Sequence, residues 1–306
     1  MHRDRILLKR EKKEDMNRNT RYYVGCFLKR FLPNLIKKRS IYSRLSFTRI
    51  ASTQIHNKKL SFHCHAEDLS NTIFYTGVFG DYEGQTLKMW HEIIHGLSLK
   101  TVMDIGAYSG IFALTAALAD EEIDIHAYEP NPFAFKLLTK NCNLNSLSNI
   151  RAYECAIAEY NGKQEFYMFG NSYSTGMTSV NHRKVHHDMT MGSFEAKDIF
   201  KAREEIDKKL DLIKLDIERA ELPLLKHATK LLETDRPIIF CEILDAADYF
   251  DYQVLFEALD YGFIQVNDDD HNYTHCQSIS DHGNRSLGRN WIFYPKEKQA
   301  MIKAVI

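Results

Sequence analysis

No run of apolar residues in this sequence approaches the roughly 20 that a membrane-spanning helix needs. The opening stretch MHRDRILLKREKKED has none of the apolar core of a secretory signal. We therefore expect a cytoplasmic protein, with a peripheral contact at the inner membrane face as the alternative. Cysteines are few and scattered: Cys26, Cys64, Cys142, Cys155, Cys241 and Cys276, with no CxxC pair. Neither a zinc site nor a disulfide framework follows from that spacing. The triplet His63-Cys64-His65 comes nearest to a metal cluster. Alternating residues of a strand point to opposite faces, so a polar strand edge is expected there and no metal. There is no internal repeat and no low-complexity tract.

What is present is ordinary in composition. Among 306 residues 44% are apolar and 26% charged, as in a soluble globular chain. That length allows one large α/β domain with an extension, or two small domains. The net charge of −1 conceals an asymmetry. Residues 1–50 hold 15 Lys and Arg against 4 Asp and Glu, a net of +11, and the remainder is net −12. A basic arm on an acidic body calls for a partner or a surface. Within residues 21–39, Val24, Phe27, Leu28, Phe31, Leu32 and Leu35 recur at helical spacing and make one apolar face. Lys29, Arg30, Lys37, Lys38 and Arg39 fall largely off that face or beyond it. Pro33 should kink or end the helix. Such a helix either packs on the protein's own core or lies at an anionic membrane surface. Basic residues alone do not specify nucleic acid, which is not an expected partner.

From Lys100 onward strands and helices alternate. The expected strands are Thr101–Ile105, Ile123–Tyr128, Asn149–Ala156, Leu212–Ile217, Pro237–Ile243, Phe263–Val266 and Asn290–Tyr294. Helices are expected near 84–95, 110–119, 132–145, 220–232 and 251–260. This order predicts a mainly parallel sheet covered on both faces. Gln164–Phe169 reads as an extra hairpin strand, and 170–207 as an irregular, then helical, insertion able to cover a site. The division expected is a basic extension over 1–50, a lead-in over 51–99 and a cofactor-binding domain over 100–306.

The strongest local signal is Val102-Met-Asp-Ile-Gly-Ala-Tyr-Ser-Gly110. An apolar strand ends in Asp104, and a turn with Gly106 and Gly110 opens a helix. Glycines there permit positive φ and close approach of backbone to a ligand, and the helix presents free N–H groups to it. The next strand ends in Glu129, placed to hydrogen-bond a ribose. Dinucleotide enzymes use GxGxxG to hold a pyrophosphate; here Tyr108 stands where the second glycine would be. The looser GxxxG suits S-adenosylmethionine (SAM), which has no phosphate, and Asp104 can meet its ammonium. Ala107, Tyr108, Pro130, Asn131 and Ala156 complete the expected cofactor contacts.

These residues, with Tyr128-Glu-Pro-Asn-Pro132, Asn141-Cys-Asn-Leu-Asn145 and Asp211-Leu-Ile-Lys-Leu-Asp-Ile-Glu-Arg-Ala-Glu221, resemble the FkbM-type SAM-dependent methyltransferases. The resemblance spans roughly residues 80–295. It implies a class I methyltransferase fold, Rossmann-like, with seven strands and the last antiparallel. It also implies O-methylation, often of a sugar hydroxyl in a glycan or glycolipid. Carried over, Asp104, Gly106 and Gly110 would line the SAM tail, and Glu129 the ribose. The family commonly has Asn where Tyr108 stands, and Gly where Arg219 stands. Arg219 adds bulk and charge beside the implied acceptor site.

An alcohol acceptor must lose a proton to become a good nucleophile. Period-two alternation puts Lys214, Asp216 and Glu218 on one side of a strand end, where α/β sheets bind ligands. Asp216 or Glu218 is the expected base, with Lys214 as its partner and Glu242 as a further candidate. Alternatively, Lys214 and a carboxylate form a buried pair that only satisfies itself. Asp216 and Glu242 have the oxygen chemistry for a divalent cation, which is not favoured. His186, His187, His271, His275 and His282 read as solvated loop residues, with one of them as an alternative base near neutral pH. A small natural product or an amine is the alternative acceptor, and a non-catalytic SAM-binding protein the alternative function.

Overall fold

The strands Thr101–Ile105, Leu212–Leu215 and Asn290–Pro295 are mostly apolar, and the structure buries every residue of them. The computed structural model describes residues 20–36, 39–64, 69–169, 177–179, 189–279 and 288–306. The chain divides into two compact units, residues 1–82 and 83–306. The helix at 84–97, grouped with the lead-in on sequence grounds, thus belongs to the larger unit.

In the smaller unit, residues 20–31 are helical and a short turn, Pro33–Ile36, follows the interruption before Pro33. The hairpin β1 (Arg49–Ile55) and β2 (Lys58–Cys64) and the helix α1 (Ser70–Thr76) complete it. The helix turns Tyr22, Gly25 and Lys29 inward. The Tyr22 ring meets Phe47 edge-on at 4.9 Å. A Cβ at Gly25 would collide with the Tyr75 ring, so only glycine permits this approach. Lys29 donates to the Phe74 carbonyl and lies 4.3 Å from its ring centroid. The apolar face composed of Val24, Phe27 and Phe31 is therefore the outward one, and the packing on the protein's own core is done by other residues.

The larger unit begins with α2 (Gly84–Leu97) and then alternates. Its elements run β3 (Thr101–Ile105), α3 (Ile111–Ala119), β4 (Asp124–Tyr128), α4 (Pro132–Leu144), β5 (Ile150–Tyr153), β6 (Ala156–Ala158), β7 (Gly162–Phe169), β8 (Met177–Ser179) and β9 (Met189–Asp198). Then come α5 (Ile199–Glu204), β10 (Leu212–Leu215), α6 (Glu221–His227), α7 (Thr229–Asp235), β11 (Ile238–Glu242), α8 (Tyr249–Ala258), β12 (Tyr261–Asn267), β13 (Asn272–Cys276), β14 (Asn290–Pro295) and α9 (Gln299–Val305). An eight-stranded sheet has the order β13-β12-β14-β11-β10-β3-β4-β5. β11, β10, β3, β4 and β5 are parallel neighbours, and β14 runs antiparallel to both β11 and β12. The seven expected strands are all in this sheet, with the last antiparallel. β13, an edge partner of β12, is an eighth that the sequence pattern did not announce.

Two elements differ from expectation. The strand expected over 149–156 breaks after Tyr153, and Ala156 starts β6 in a second sheet of order β6-β9-β7-β8. The stretch expected to be irregular contains β9, the strand that pairs with β6 and β7. The main core lies between the large sheet and the helices α5 to α8, around Leu215, Leu225, Tyr252, Phe256, Trp291 and Phe293. Leaving β3 the chain builds outward through β4 and β5, and leaving β10 it builds the other way. The order reverses between β3 and β10, and the crevice beyond their carboxyl ends is where such sheets take ligands.

Candidate active site

Asp104, the last residue but one of β3, lies on the same row as Lys214 of β10, its partner in register. Both are about 1% exposed. On this face Trp90 of α2 packs edge-on against Phe112 and Phe240 and donates its indole N–H to the Phe112 carbonyl at 3.1 Å. The Lys214 ammonium lies 4.8 Å from the Phe112 ring centroid and 3.2 Å from Asp216 Oδ2. Burial alone would lower its pKa, but Asp216, Glu83, Glu242 and Asp104 outweigh burial and hold it above the ordinary lysine value. Lys214 is thus a fixed cation serving several carboxylates.

The carboxylates are displaced the other way. Burial raises Asp104 to about 7, against the opposing pull of Lys214 and of the Ala113 N–H, which donates to Asp104 Oδ2 at 3.1 Å. Burial first, then the charge of Asp216, raises Glu242 to about 8 and Glu218 to about 7. Glu221 is raised to about 7 by burial, although it accepts the Ile217 N–H at 2.8 Å. Glu83, just ahead of α2, is raised to about 6 by burial. One Glu83 oxygen accepts from Asn290 Nδ2 at 3.1 Å, and the other is buried without a partner among the described residues. An orphaned acceptor of this kind costs free energy until a donor arrives. Asp216, Glu83, Glu242 and Asp104 thus share the one ammonium of Lys214.

The glycine turn joins this cluster to a second one. Gly106 has φ +82°, and a Cβ there would overlap the Asp216 carbonyl, so the β3 turn and the β10 end touch backbone to backbone. Tyr108 adopts the left-handed region at φ +47° and Gly110 at φ +87°. The Gly106 and Ala107 N–H groups both donate to the Tyr128 carbonyl at 3.0 Å. Asn141 reaches back to the Ser109 carbonyl at 2.9 Å. Glu129, at the end of β4, accepts the Tyr108 N–H on one oxygen at 2.7 Å and the Asn131 N–H on the other at 2.8 Å. Its carboxylate ties the two loops together. Burial raises it to about 7 despite those two bonds. Asn131 caps α4, accepting from the Phe133 N–H at 3.0 Å, and Pro132 follows as the first helical residue.

Asp104, Gly106, Ala107, Tyr108 and Gly110 thus line the β3–α3 turn, Glu129, Pro130 and Asn131 the adjoining β4–α4 turn, and Lys214, Asp216, Glu218 and Glu242 the neighbouring strand ends. Ala156 stands apart in β6 of the second sheet. Arg219 has φ +82° after Glu218 at φ +54°, two left-handed residues in succession. Its guanidinium lies 3.5 Å from Asp245. Sequence reasoning missed Glu83, Asn290 and Asp268. Asp268 holds the start of α2 through the Thr86 N–H at 2.9 Å and hydroxyl at 2.8 Å, and takes a bond from Asn290 at 3.0 Å. No local pattern marks these residues, because they meet only across the sheet. His275 lies in β13, and His271 in the turn before it. His186, His187 and His282 lie outside the described residues. Among the described residues no three His, Cys, Asp or Glu side chains are grouped as a metal site.

The family model described as the methyltransferase FkbM domain matches residues 104–285. No curated protein sequence matches the chain. Among solved structures, it is similar to the methyltransferase FkbM from Methylobacillus flagellatus, at 17% identity and a TM-score of 0.41, over 74% of this chain and 55% of that one. It is also similar to the SAM-dependent methyltransferase from Agrobacterium tumefaciens, at 12% identity and a TM-score of 0.43, over 80% of this chain and 70% of that one. The chain thus spans little more than half the length of the first of these.

Proposed function

The chain belongs to the FkbM methyltransferase domain family, and from that premise we propose that it transfers a methyl group from SAM to a hydroxyl of a glycan, glycolipid or related metabolite. One observation carries the reading. At the strand ends, Glu83, Asp104, Asp216 and Glu242 gather around the buried cation Lys214, with Glu218 beside Asp216 and under the charges of Arg219 and Arg289. SAM brings a sulfonium and an ammonium against one carboxylate, so its charge complements this excess. The orphaned oxygen of Glu83 also fits a donor-rich ligand. Asp104, the turn Gly106–Gly110 and Glu129 would hold the cofactor. When bound, SAM supplies a methyl group already activated for in-line displacement.

The chain's own residues then have two tasks. The first is alignment of acceptor and methyl, which the rigid contact between Gly106 and Asp216 favours. The second is removal of the acceptor's proton. Glu242 and Glu218, raised to about 8 and about 7, have proton affinities near those of an efficient base at neutral pH. Asp216 is engaged by Lys214 and suits an orienting role. The ranking of candidate bases therefore moves from Asp216 toward Glu242 and Glu218.

Two measurements test this. Calorimetric titration with SAM should give a Kd in the micromolar range or tighter. A labelled-methyl assay against extracted glycolipids, polysaccharide precursors and small metabolites should show transfer to one class. Failure to bind SAM would remove the whole reading. Binding without transfer to any class would favour a non-catalytic SAM-binding protein.

A further inference from the structure

The helical stretch 20–31 has an unusual distribution of side chains. At 100° per residue, Tyr23, Val24, Phe27 and Phe31 share one face with Arg30. They are 64, 43, 57 and 58% exposed. The opposite face, with Gly25 and Lys29, packs on Phe74 and Tyr75. The burial preference of these residue types is thus inverted: a glycine and a lysine stem lie inside, and three aromatics and a valine lie outside. The stripe continues past the helix end in Leu32 and Leu35, both exposed. Phe27 and Phe31 stack in a tilted pair at 4.8 Å, which enlarges the apolar surface into a patch. An exposed contiguous apolar patch marks an interaction site.

The charges around the patch identify what covers it. Residues 16–66 contain 11 Lys and Arg and no Asp or Glu. Arg30 and Arg44 are exposed in the same unit, and the exposed Arg49 guanidinium lies 4.1 Å from the Tyr22 ring centroid and 5.6 Å from that of Tyr23. A second copy of this chain would bring the same positive charge to the same patch, and the two would repel. An anionic phospholipid surface offers both complements at once: apolar depth for the aromatic face and negative charge for the flanking guanidinium and ammonium groups. Aromatic side chains also suit the headgroup level of a bilayer, and the long basic side chains can reach back to it.

We propose that the outward face of residues 20–35, with Tyr23, Val24, Phe27 and Phe31 at its centre, docks this protein on anionic phospholipid membranes. The surface belongs to the smaller unit and the carboxylate cluster to the larger one, and docking does not depend on methyl transfer.

The test uses the full chain and flotation with phosphatidylcholine vesicles, alone or with about 30 mol% phosphatidylserine. The unaltered protein should bind the anionic vesicles at least about tenfold more tightly than the neutral ones. Binding should weaken at least tenfold between about 0.05 M and about 0.5 M salt. The double variant Phe27→Glu, Phe31→Glu should lose about tenfold or more in affinity. Both side chains are exposed, so its thermal midpoint and its SAM affinity should be those of the unaltered protein. A milder Phe27→Ser variant, showing a partial loss, guards against misfolding of the double one. Absence of anionic-vesicle binding at low salt overturns the proposal. So does binding that both variants retain undiminished, or equal binding to neutral vesicles. Sedimentation that reveals a dimer broken by these variants, without vesicle binding, would assign the face to a second copy instead. Salt-sensitive binding to duplex nucleic acid, without vesicle binding, would assign it there.

Discussion

Glu242, Glu218 and Asp216 sit at neighbouring strand ends, yet each has different neighbours. Asp216 has Lys214 at 3.2 Å. Glu242 lies buried with the charges of Asp216, Glu83 and Glu218 acting on it, and its pKa rises to about 8. Methyl transfer should therefore increase as pH climbs through about 7 to 8, where Glu242 and Glu218 lose their protons. Glu242→Gln should lower kcat/KM by about 10²–10⁴-fold and remove the upper part of that rise. The check is a kcat/KM profile from pH 6 to 9 (about that range suffices) with SAM affinity measured alongside. An unchanged profile would pass the role to Glu218, whose amide variant is then the comparison. Glu129 has a double part at this scale. Both its oxygens accept backbone N–H groups, so truncation to alanine would loosen the Tyr108 and Asn131 loops as well as remove a ligand contact. Arg219 holds a glycine-like φ of +82° with its guanidinium drawn to Asp245, and nothing in these contacts explains why arginine stands there.

At the scale of elements, the strand–turn–helix β3–α3 owes its form to Gly106. The turn must pass the end of β10 so closely that the Asp216 carbonyl occupies the place of a Cβ. Backbone on both sides is fixed by sheet register, with Asp104 opposite Lys214 and Ile105 opposite Leu215. Neither partner can give way without breaking the parallel ladder. Gly106→Ala should thus destabilise the protein by about 2 kcal/mol or more, combining a left-handed φ with overpacking. SAM affinity should fall by at least about tenfold, because the turn would shift. Chemical denaturation and SAM titration read the two effects. A variant with unchanged stability and affinity would mean that the turn is not held against β10. The helical stretch 20–31 makes the converse point. Its period was legible from the spacing of Val24, Phe27 and Phe31, but the period does not say which side of the helix meets protein. Gly25 decides that, by admitting the Tyr75 ring.

For the larger unit as a whole, buried acidity has a consequence for stability. Burial raises Glu83 to about 6, Asp104, Glu129 and Glu221 to about 7, and Glu242 to about 8. Each binds its proton more tightly folded than unfolded. The stabilisation they contribute is complete below the unfolded carboxylate value of about 4 and is lost as pH rises through the folded values. The thermal midpoint should therefore fall between about pH 5 and pH 8, by about 2–4 °C for each kcal/mol lost. Bound SAM, carrying positive charge into the cluster, should raise the midpoint more at pH 8 than at pH 6. Thermal scans at the two pH values, with and without SAM, check both statements. A midpoint that climbs over this range would show that these carboxylates are not held protonated by burial.

Much of this was legible from local pattern. Period-two and unbroken apolar runs, separated by helical spacing, located all seven strands of the expected sheet, because burial on both faces leaves little choice of residue. Gly106, Gly110 and the acidic strand ends Asp104 and Glu129 marked the turn, because positive φ and close approach restrict what can stand there. Other features arose only from tertiary contact. The edge strand β13 and the second sheet built from β6 and β9 depend on pairing partners distant in sequence. So does the company Lys214 keeps: Glu83 from the start of α2, Asp104 from β3 and Glu242 from β11 converge because the sheet aligns their ends. By itself the sequence determined the framework and the glycine turn. The distribution of charge among the carboxylates, and the outward turn of the basic helix, were decided by what the folded chain brings together, since protonation and exposure depend on neighbours and not on spacing.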